Sequence, residues 1–187
     1  MTKILAILLL ILSSPALAQI TPTLSPESQV TYTARDDTSE WSGVAPVEAL
    51  EFTLNPDDIA ASELSITLRP ANFDSGNLVR DANARRGVFE AGEFPEIRFD
   101  LSDVSGADAS LAEGETQTLS LSGDLTMHGV TQALELEAEV TRASNTITAT
   151  GNFSVLLSDF DMTRPEFLGN QVADEVDLAF QIITTSP

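Results

Sequence analysis

The sequence predicts an all-β fold: about eight antiparallel strands closed into a barrel, with one short helix. Two observations carry this. Short segments along the whole chain place an apolar residue at every second position, the period of a half-buried strand. Between them lie clusters rich in Gly, Pro, Asn and Asp, which favour hairpins and therefore antiparallel neighbours.

Val30, Tyr32 and Ala34 open the series, and Val30 to Trp41 reads as a short first hairpin. Leu50-Phe52-Leu54, Leu64-Ile66-Leu68, Ile97-Phe99-Leu101 and Leu119-Leu121 follow with the same alternation. The clearest segment sets Leu134, Leu136, Ala138 and Val140 against Glu135, Glu137 and Glu139. Successive strand side chains point to opposite faces, so this strand has one wet and one apolar side. Ile147-Ala149-Gly151-Phe153-Val155 and Val176-Leu178-Phe180-Ile182 complete the set. Turns are expected at Asn55-Pro56-Asp57-Asp58, Ser105-Gly106-Ala107-Asp108 and His128-Gly129. A sheet of this many strands with one apolar face hides that face and loses its free edges by closing, which favours a barrel over a sandwich. Only Asn77 to Gly87 reads as helix, with Arg80, Asp81, Arg85 and Arg86 on a polar surface and Gly87 as its stop.

Met1-Thr2-Lys3, the apolar run Ile4 to Leu12 and the small-x-small site Ala16-Leu17-Ala18 read as a secretory leader over residues 1–18. That run is far below the ~20 residues needed to span a bilayer. A single domain over residues 19–187 is then expected in the periplasm or outside the cell, with no membrane span. The chain has no cysteine, which excludes disulfides and a lipidated cysteine anchor.

The 29 acidic residues against 9 Lys and Arg give a formal charge of −20. They are scattered, as a solvated surface requires. Nucleic acid is excluded as a partner, because its binding rests on Lys and Arg displacing counterions, and anionic lipid surfaces are disfavoured by the same overall charge.

Candidates for chemistry are few. His128 is the single histidine and lies in a tight turn. It reads as a turn-shaping or hydrogen-bonding residue, with general base and metal ligand as alternatives. One His and no Cys leave little for a zinc site, and there is no P-loop, dinucleotide fingerprint or Gly-x-Ser-x-Gly elbow. Asp57-Asp58 and Asp159-x-Asp161 read as solvated turns before calcium ligands. No catalytic residue, metal or cofactor is expected. The interior is the remaining candidate, because an eight-stranded barrel is just wide enough to be filled by its own side chains or to enclose one slender ligand. Phe52, Phe99, Phe153 and Phe180 mix there with Ala34, Ala138, Ala149 and Gly151, a composition compatible with a channel or with small residues accommodating large ones.

Gly123-Asp124-Leu125-Thr126-Met127-His128-Gly129-Val130-Thr131 resembles the signature of the YceI family of secreted bacterial proteins. Asp74-Ser75-Gly76-Asn77, Arg80-Asp81, Arg85 and Phe89 resemble a second family segment, and Phe94-Pro95-Glu96-Ile97-Arg98-Phe99 a third. Asp159-Phe160 and Asp174-Glu175-Val176 match its last landmarks, so the likeness runs from about Ser28 to Thr184. The chain departs from the pattern at Asn83, Val88, Glu90, Gln132-Ala133, Leu157 and Asp161.

The resemblance implies an elongated, lipocalin-like (calycin-like) barrel that binds a long apolar lipid such as a polyisoprenoid or quinone-like chain, and a homodimer. The candidate cavity lining is then Phe52, Leu64, Ile66, Phe89, Phe99, Leu134, Leu136, Ala149, Phe153 and Phe180. Asn77, Arg80, Asp81 and Arg85 form the one locally basic cluster and are the head-group candidates, holding the helix to the barrel being their alternative role. The rival function is a solid-cored envelope stress or scaffold protein that acts through its surface on membrane redox partners. A hydrolase built on His128 and Asp124 is the third reading.

Overall fold

A computed structural model describes residues 22–53, 63–106, 111–167 and 169–186. The leader, Leu54, the Asn55–Asp58 turn and Ala107-Asp108 lie outside the described residues. Eleven strands are present among those described: β1 (Thr23–Leu24), β2 (Gln29–Arg35), β3 (Glu40–Thr53), β4 (Glu63–Leu68), β5 (Ile97–Ser105), β6 (Thr116–Met127), β7 (Val130–Ala143), β8 (Thr146–Leu156), β9 (Glu166–Phe167), β10 (Asn170–Gln171) and β11 (Glu175–Thr185). One helix, α1 (Leu78–Gly87), stands between β4 and β5.

The sheet runs β11-β2-β3-β4-β5-β6-β7-β8 and returns to β11, so eight antiparallel strands form a closed barrel. The closing pair is long, from Leu156↔Glu175 to Thr146↔Thr185. Short β1 continues the line of β2 along β11, pairing at Thr23↔Thr185, and the Ser28 hydroxyl bridges the break by bonding the backbone of Ile183. Strict antiparallel order puts four connections at one end: the β2–β3 turn, the long segment carrying α1, the His128-Gly129 turn, and the β8–β11 connection with the β9–β10 hairpin.

Leu54 aside, the predicted strand segments fall within barrel strands, and the predicted helix is α1 with Asn77 as its N-cap. Asn77 Oδ1 accepts from the backbone N–H of Val79 and Arg80 at 3.1 Å each, satisfying two donors that the first turn leaves free. The correction concerns β3, which starts at Glu40, well before the expected Leu50. Gly43 and Pro46 are poor strand formers, and a bulge between Val47 and Ala49 shifts the inward phase. Trp41 and Ala45 therefore share a face with Leu50 and Phe52 although no single period-2 pattern joins them. The first hairpin is accordingly one short strand paired with the start of a long one.

His128 and Gly129 occupy the two-residue turn between β6 and β7 with φ of 52° and 76°. Two positive φ values are what a type I′ hairpin turn requires. The compact core gathers near this end, where Val30, Ala45, Phe73, Ile97, Met127, Leu157 and Phe160 are buried together. Phe73 stacks edge-on with Phe89 at 5.2 Å and lies 5.9 Å from Tyr32.

Two glycines are fixed by close approach. A Cβ on Gly123 would meet the Asp100 carbonyl and the Phe99 ring, and one on Gly151 the Glu137 carbonyl and the Phe180 ring. Backbone cannot yield as a flexible side chain can. Gly151→Val is expected to cost about 1–3 kcal/mol by overpacking, read as a lower urea midpoint with unchanged slope. Wild-type stability in that variant would show that β7 and β8 can separate freely.

Candidate functional site

The inward faces of the eight strands enclose a cavity of about 1140 Å³ that follows the barrel axis. Its walls are the apolar half of each alternation: Leu64, Ile66 and Leu68 on β4, Leu134, Leu136 and Val140 on β7, Ala149, Phe153 and Val155 on β8, and Leu178, Phe180 and Ile182 on β11. At the α1 end the lining passes through Trp41, Val79, Asn83 and Arg86 to Pro165 and Val172. At the opposite end it reaches Arg142, Ser144, Asn145 and Ser186.

All ten residues expected to line a cavity stand on its wall: Phe52, Leu64, Ile66, Phe89, Phe99, Leu134, Leu136, Ala149, Phe153 and Phe180. Each is only half-buried although it points into the barrel. The physical reason is that these side chains face open space; Val30, Ala34 and Ile97 line the same cavity but are also covered by the buried cluster they belong to. Trp41 and Ala45 were missed because they lie on the part of β3 that the sequence did not reveal. Pro165, Asn170 and Val172 come from a connection with no periodic signal.

The four polar candidates gather on the segment that crosses the α1 end. Asp81 is buried at 4% exposure, and its Oδ1 accepts from the Ser75 N–H at 3.1 Å and the Ser75 hydroxyl at 2.5 Å. Arg80 Nε donates to Ser75 Oγ at 2.9 Å and its Nη2 to the Ser75 carbonyl at 3.0 Å, while the guanidinium lies 5.2 Å over Trp41. Arg85 donates to the Phe73 carbonyl at 3.0 Å. Phe73 and Asp74 are in turn tied to the barrel, Asp74 exchanging backbone bonds with Val44 at 2.8 and 3.0 Å. Asn77 and Arg80 line the cavity, and Asp81 and Arg85 stand off its wall. Burial, reinforced by the Asp81 charge, raises the pKa of the nearby Tyr32 hydroxyl.

His128 is held by acceptors on two sides, Nδ1 lying 3.1 Å from the Phe160 carbonyl and Nε2 3.0 Å from Glu90 Oε2. Phe94 packs on the ring at 4.4 Å. His128 thereby joins three connections of the α1 end. Asp124 is on β6 opposite Asp100 and is not a partner of the ring, so the structure does not bring the suggested pair together. Among the described residues no cluster of three His, Cys, Asp or Glu could hold a metal, and no helix is long and apolar enough to cross a membrane.

A closed antiparallel barrel with an apolar bore and a short helix across one end defines the lipocalin-like class of barrels. Residues 23–184 match the YceI-like domain, and the chain belongs to that family. A UPF0312 protein of Vibrio campbellii is 31% identical over 96 residues, 51% of this chain and 47% of that one. A UPF0312 protein of Yersinia enterocolitica is 29% identical over 121 residues, covering 60% and 58%. The chain thus spans about half the length of the curated relatives it matches. BcnA of Burkholderia cenocepacia superposes with a TM-score of 0.72 at 20% identity, covering 87% of this chain and 100% of that one. A polyisoprenoid binding domain from Saccharophagus degradans, implicated in plant cell wall breakdown, gives 0.72 at 17% identity, covering 90% and 99%. These likenesses establish the fold.

Asp81→Ala is expected to destabilise by about 1–3 kcal/mol by orphaning the donors of Ser75, measured by urea unfolding. A second expectation concerns acid. The Ser158 hydroxyl and N–H, at 2.7 and 2.9 Å, lower the pKa of Asp174. A carboxylate depressed in the folded state contributes stability above its unfolded pKa of about 3.9, and that stability is lost as pH falls through the lower folded value. Asp174→Asn should therefore be less stable than wild type at neutral pH, with the two unfolding curves converging in acid; a gap that persists at low pH refutes the assignment.

Proposed function

We propose that the protein is an exported, non-enzymatic barrel that carries or stores one amphiphilic long-chain lipid of polyisoprenoid or isoprenoid-quinone type. The observation that carries this reading is the half-burial of inward-facing Phe99, Leu134, Leu136, Phe153 and Phe180 around about 1140 Å³ of space. A solid-cored protein acting through its surface calls for a filled interior, so the cavity favours the carrier.

Magnitudes support an occupant. A dry void of 1140 Å³ at roughly 24 cal/mol per Å³ costs about 27 kcal/mol, beyond the ~5–15 kcal/mol net stability of a domain. Water at ~30 Å³ each would fill the same space with about forty molecules, against walls with few polar partners. Each buried CH₂ is instead worth about 0.8 kcal/mol, so ten carbons gain roughly 8 kcal/mol before ordering costs. Affinity then grows with chain length and is indifferent to chain identity until the bore is full. The Saccharophagus degradans neighbour is described as binding polyisoprenoids, a ligand chemistry that suits these walls.

In this reading residues 1–18 direct export and residues 19–187 are the binding domain, in the periplasm or outside the cell. The ten apolar residues contact the tail. Asn77 and Arg80, at the α1 end of the bore, are the head-group contacts.

The test is native mass spectrometry of the mature chain after export and gentle purification, with a solvent extract. A stoichiometric lipid of defined mass is expected, and Ala149→Trp should reduce the longest chain accepted while the barrel still folds. An empty protein that also refuses added polyprenyl and quinone lipids overturns the reading.

A further inference from the structure

We propose that the first turn of α1 docks on a phospholipid bilayer, so that lipid passes directly between membrane and cavity mouth; this rests on the carrier reading above. Leu78 and Val79 are 85% and 71% exposed, the most exposed large apolar side chains among the described residues, the next being Leu156 at 40%. Val79 also lines the cavity, so the apolar tip and the apolar bore are continuous. Two adjacent apolar side chains continuous with an apolar bore form one exposed apolar surface at its edge.

Charge points to the same surface. α1 carries Arg80, Arg85 and Arg86, and its one carboxylate, Asp81, is buried and taken up by Ser75. Arg86 is exposed on the rim and makes no hydrogen bond or ion pair among the described residues. In this chain of net charge −20 the connections around the helix carry exposed Asp37, Asp74, Glu90 and Glu93, so the positive charge is local to α1 and the apolar pair, continuous with the bore, carries the contact. A second copy of the chain is the weaker occupant, because two side chains fall far short of the ~800 Å² per partner of a stable interface and two such acidic copies repel. An apolar tip with flanking arginines is instead what partial insertion at a membrane interface uses.

The experiment compares wild type with the variant L78D, whose altered side chain is 85% exposed and stands off the cavity wall. Vesicles of phosphatidylethanolamine and phosphatidylglycerol, doped with a fluorescent farnesyl probe, supply lipid in one arm; the same probe in ethanol supplies it in the other. Uptake from vesicles should fall about tenfold in the variant, with uptake from ethanol unchanged. Equal uptake from vesicles overturns the proposal. So does a wild-type dimer that the variant splits while transfer is unchanged, which would assign the pair to a second copy. Co-flotation with the vesicles reads docking without cargo: wild type should float and the variant should not. Refusal of the ethanol-delivered probe by both proteins strikes the carrier reading, whereas wild type that takes the probe from ethanol but does not float strikes docking alone.

Discussion

The constraint on which this molecule depends is the seam between β8 and β11. Pairing along their whole length returns the sheet to its starting strand, so every strand of the barrel has a neighbour on both sides. Closure also fixes which face each residue takes. A slip of one residue in β8 would turn Phe153 and Val155 to solvent and Asn152 and Ser154 inward, exchanging an apolar wall for a polar one. The register Phe153↔Leu178 and Gly151↔Phe180 is therefore set by hydrophobic patterning along both strands. Large and small residues alternate across it, and the ring of Phe180 fits because Gly151 has no side chain.

Closure alone makes a bore; residue size divides it. Toward α1, the connections fold Phe73, Leu157, Phe160 and Met162 into a buried cluster, and Phe73 and Leu157 also line the bore beside it. Farther down, the wall is made by strand residues that reach only part of the way across, joined among the described residues by buried Leu111 of the β5–β6 connection. The bulges at Val47/Ala49 and Leu101/Asp103 keep the lower wall apolar by re-phasing β3 and β5, so that Leu50, Phe52 and Val104 point inward. Without the extra residue in each, those side chains would face water and their polar neighbours the cavity.

The alternation that builds the wall was legible because its physics is local: Leu134 to Val140 declares its inner face in the sequence itself. α1 was legible through Asn77 and Gly87, and the turn at His128 through the Gly that follows it. The first half of β3 was not, since Gly43, Pro46 and a bulge remove both propensity and period where pairing with β2 supplies the stability. The tertiary partners of the polar residues were equally hidden. Nothing local says that Asp81 turns back on Ser75, or that Glu90 and Phe160 meet at His128, because those distances are set only once the long connections are laid across the barrel. The size of the cavity belongs to the same class, as it depends on what fails to reach the axis.

The two kinds of structure differ in how they can give way. In the wall, each strand is held by a ladder on both sides and by its apolar face, so loosening one strand exposes several rows at once and the barrel resists as a unit. The cap over the α1 end is held by separate polar contacts: Asp81 with Ser75, Arg85 with the Phe73 carbonyl, His128 with Phe160 and Glu90, and Asp174 with Ser158. A hydrogen bond of this kind contributes about 0.5–1.5 kcal/mol net, and these can break one at a time. The hydrophobic anchors Phe73 and Phe160 then set the larger part of the resistance, since moving them uncovers core.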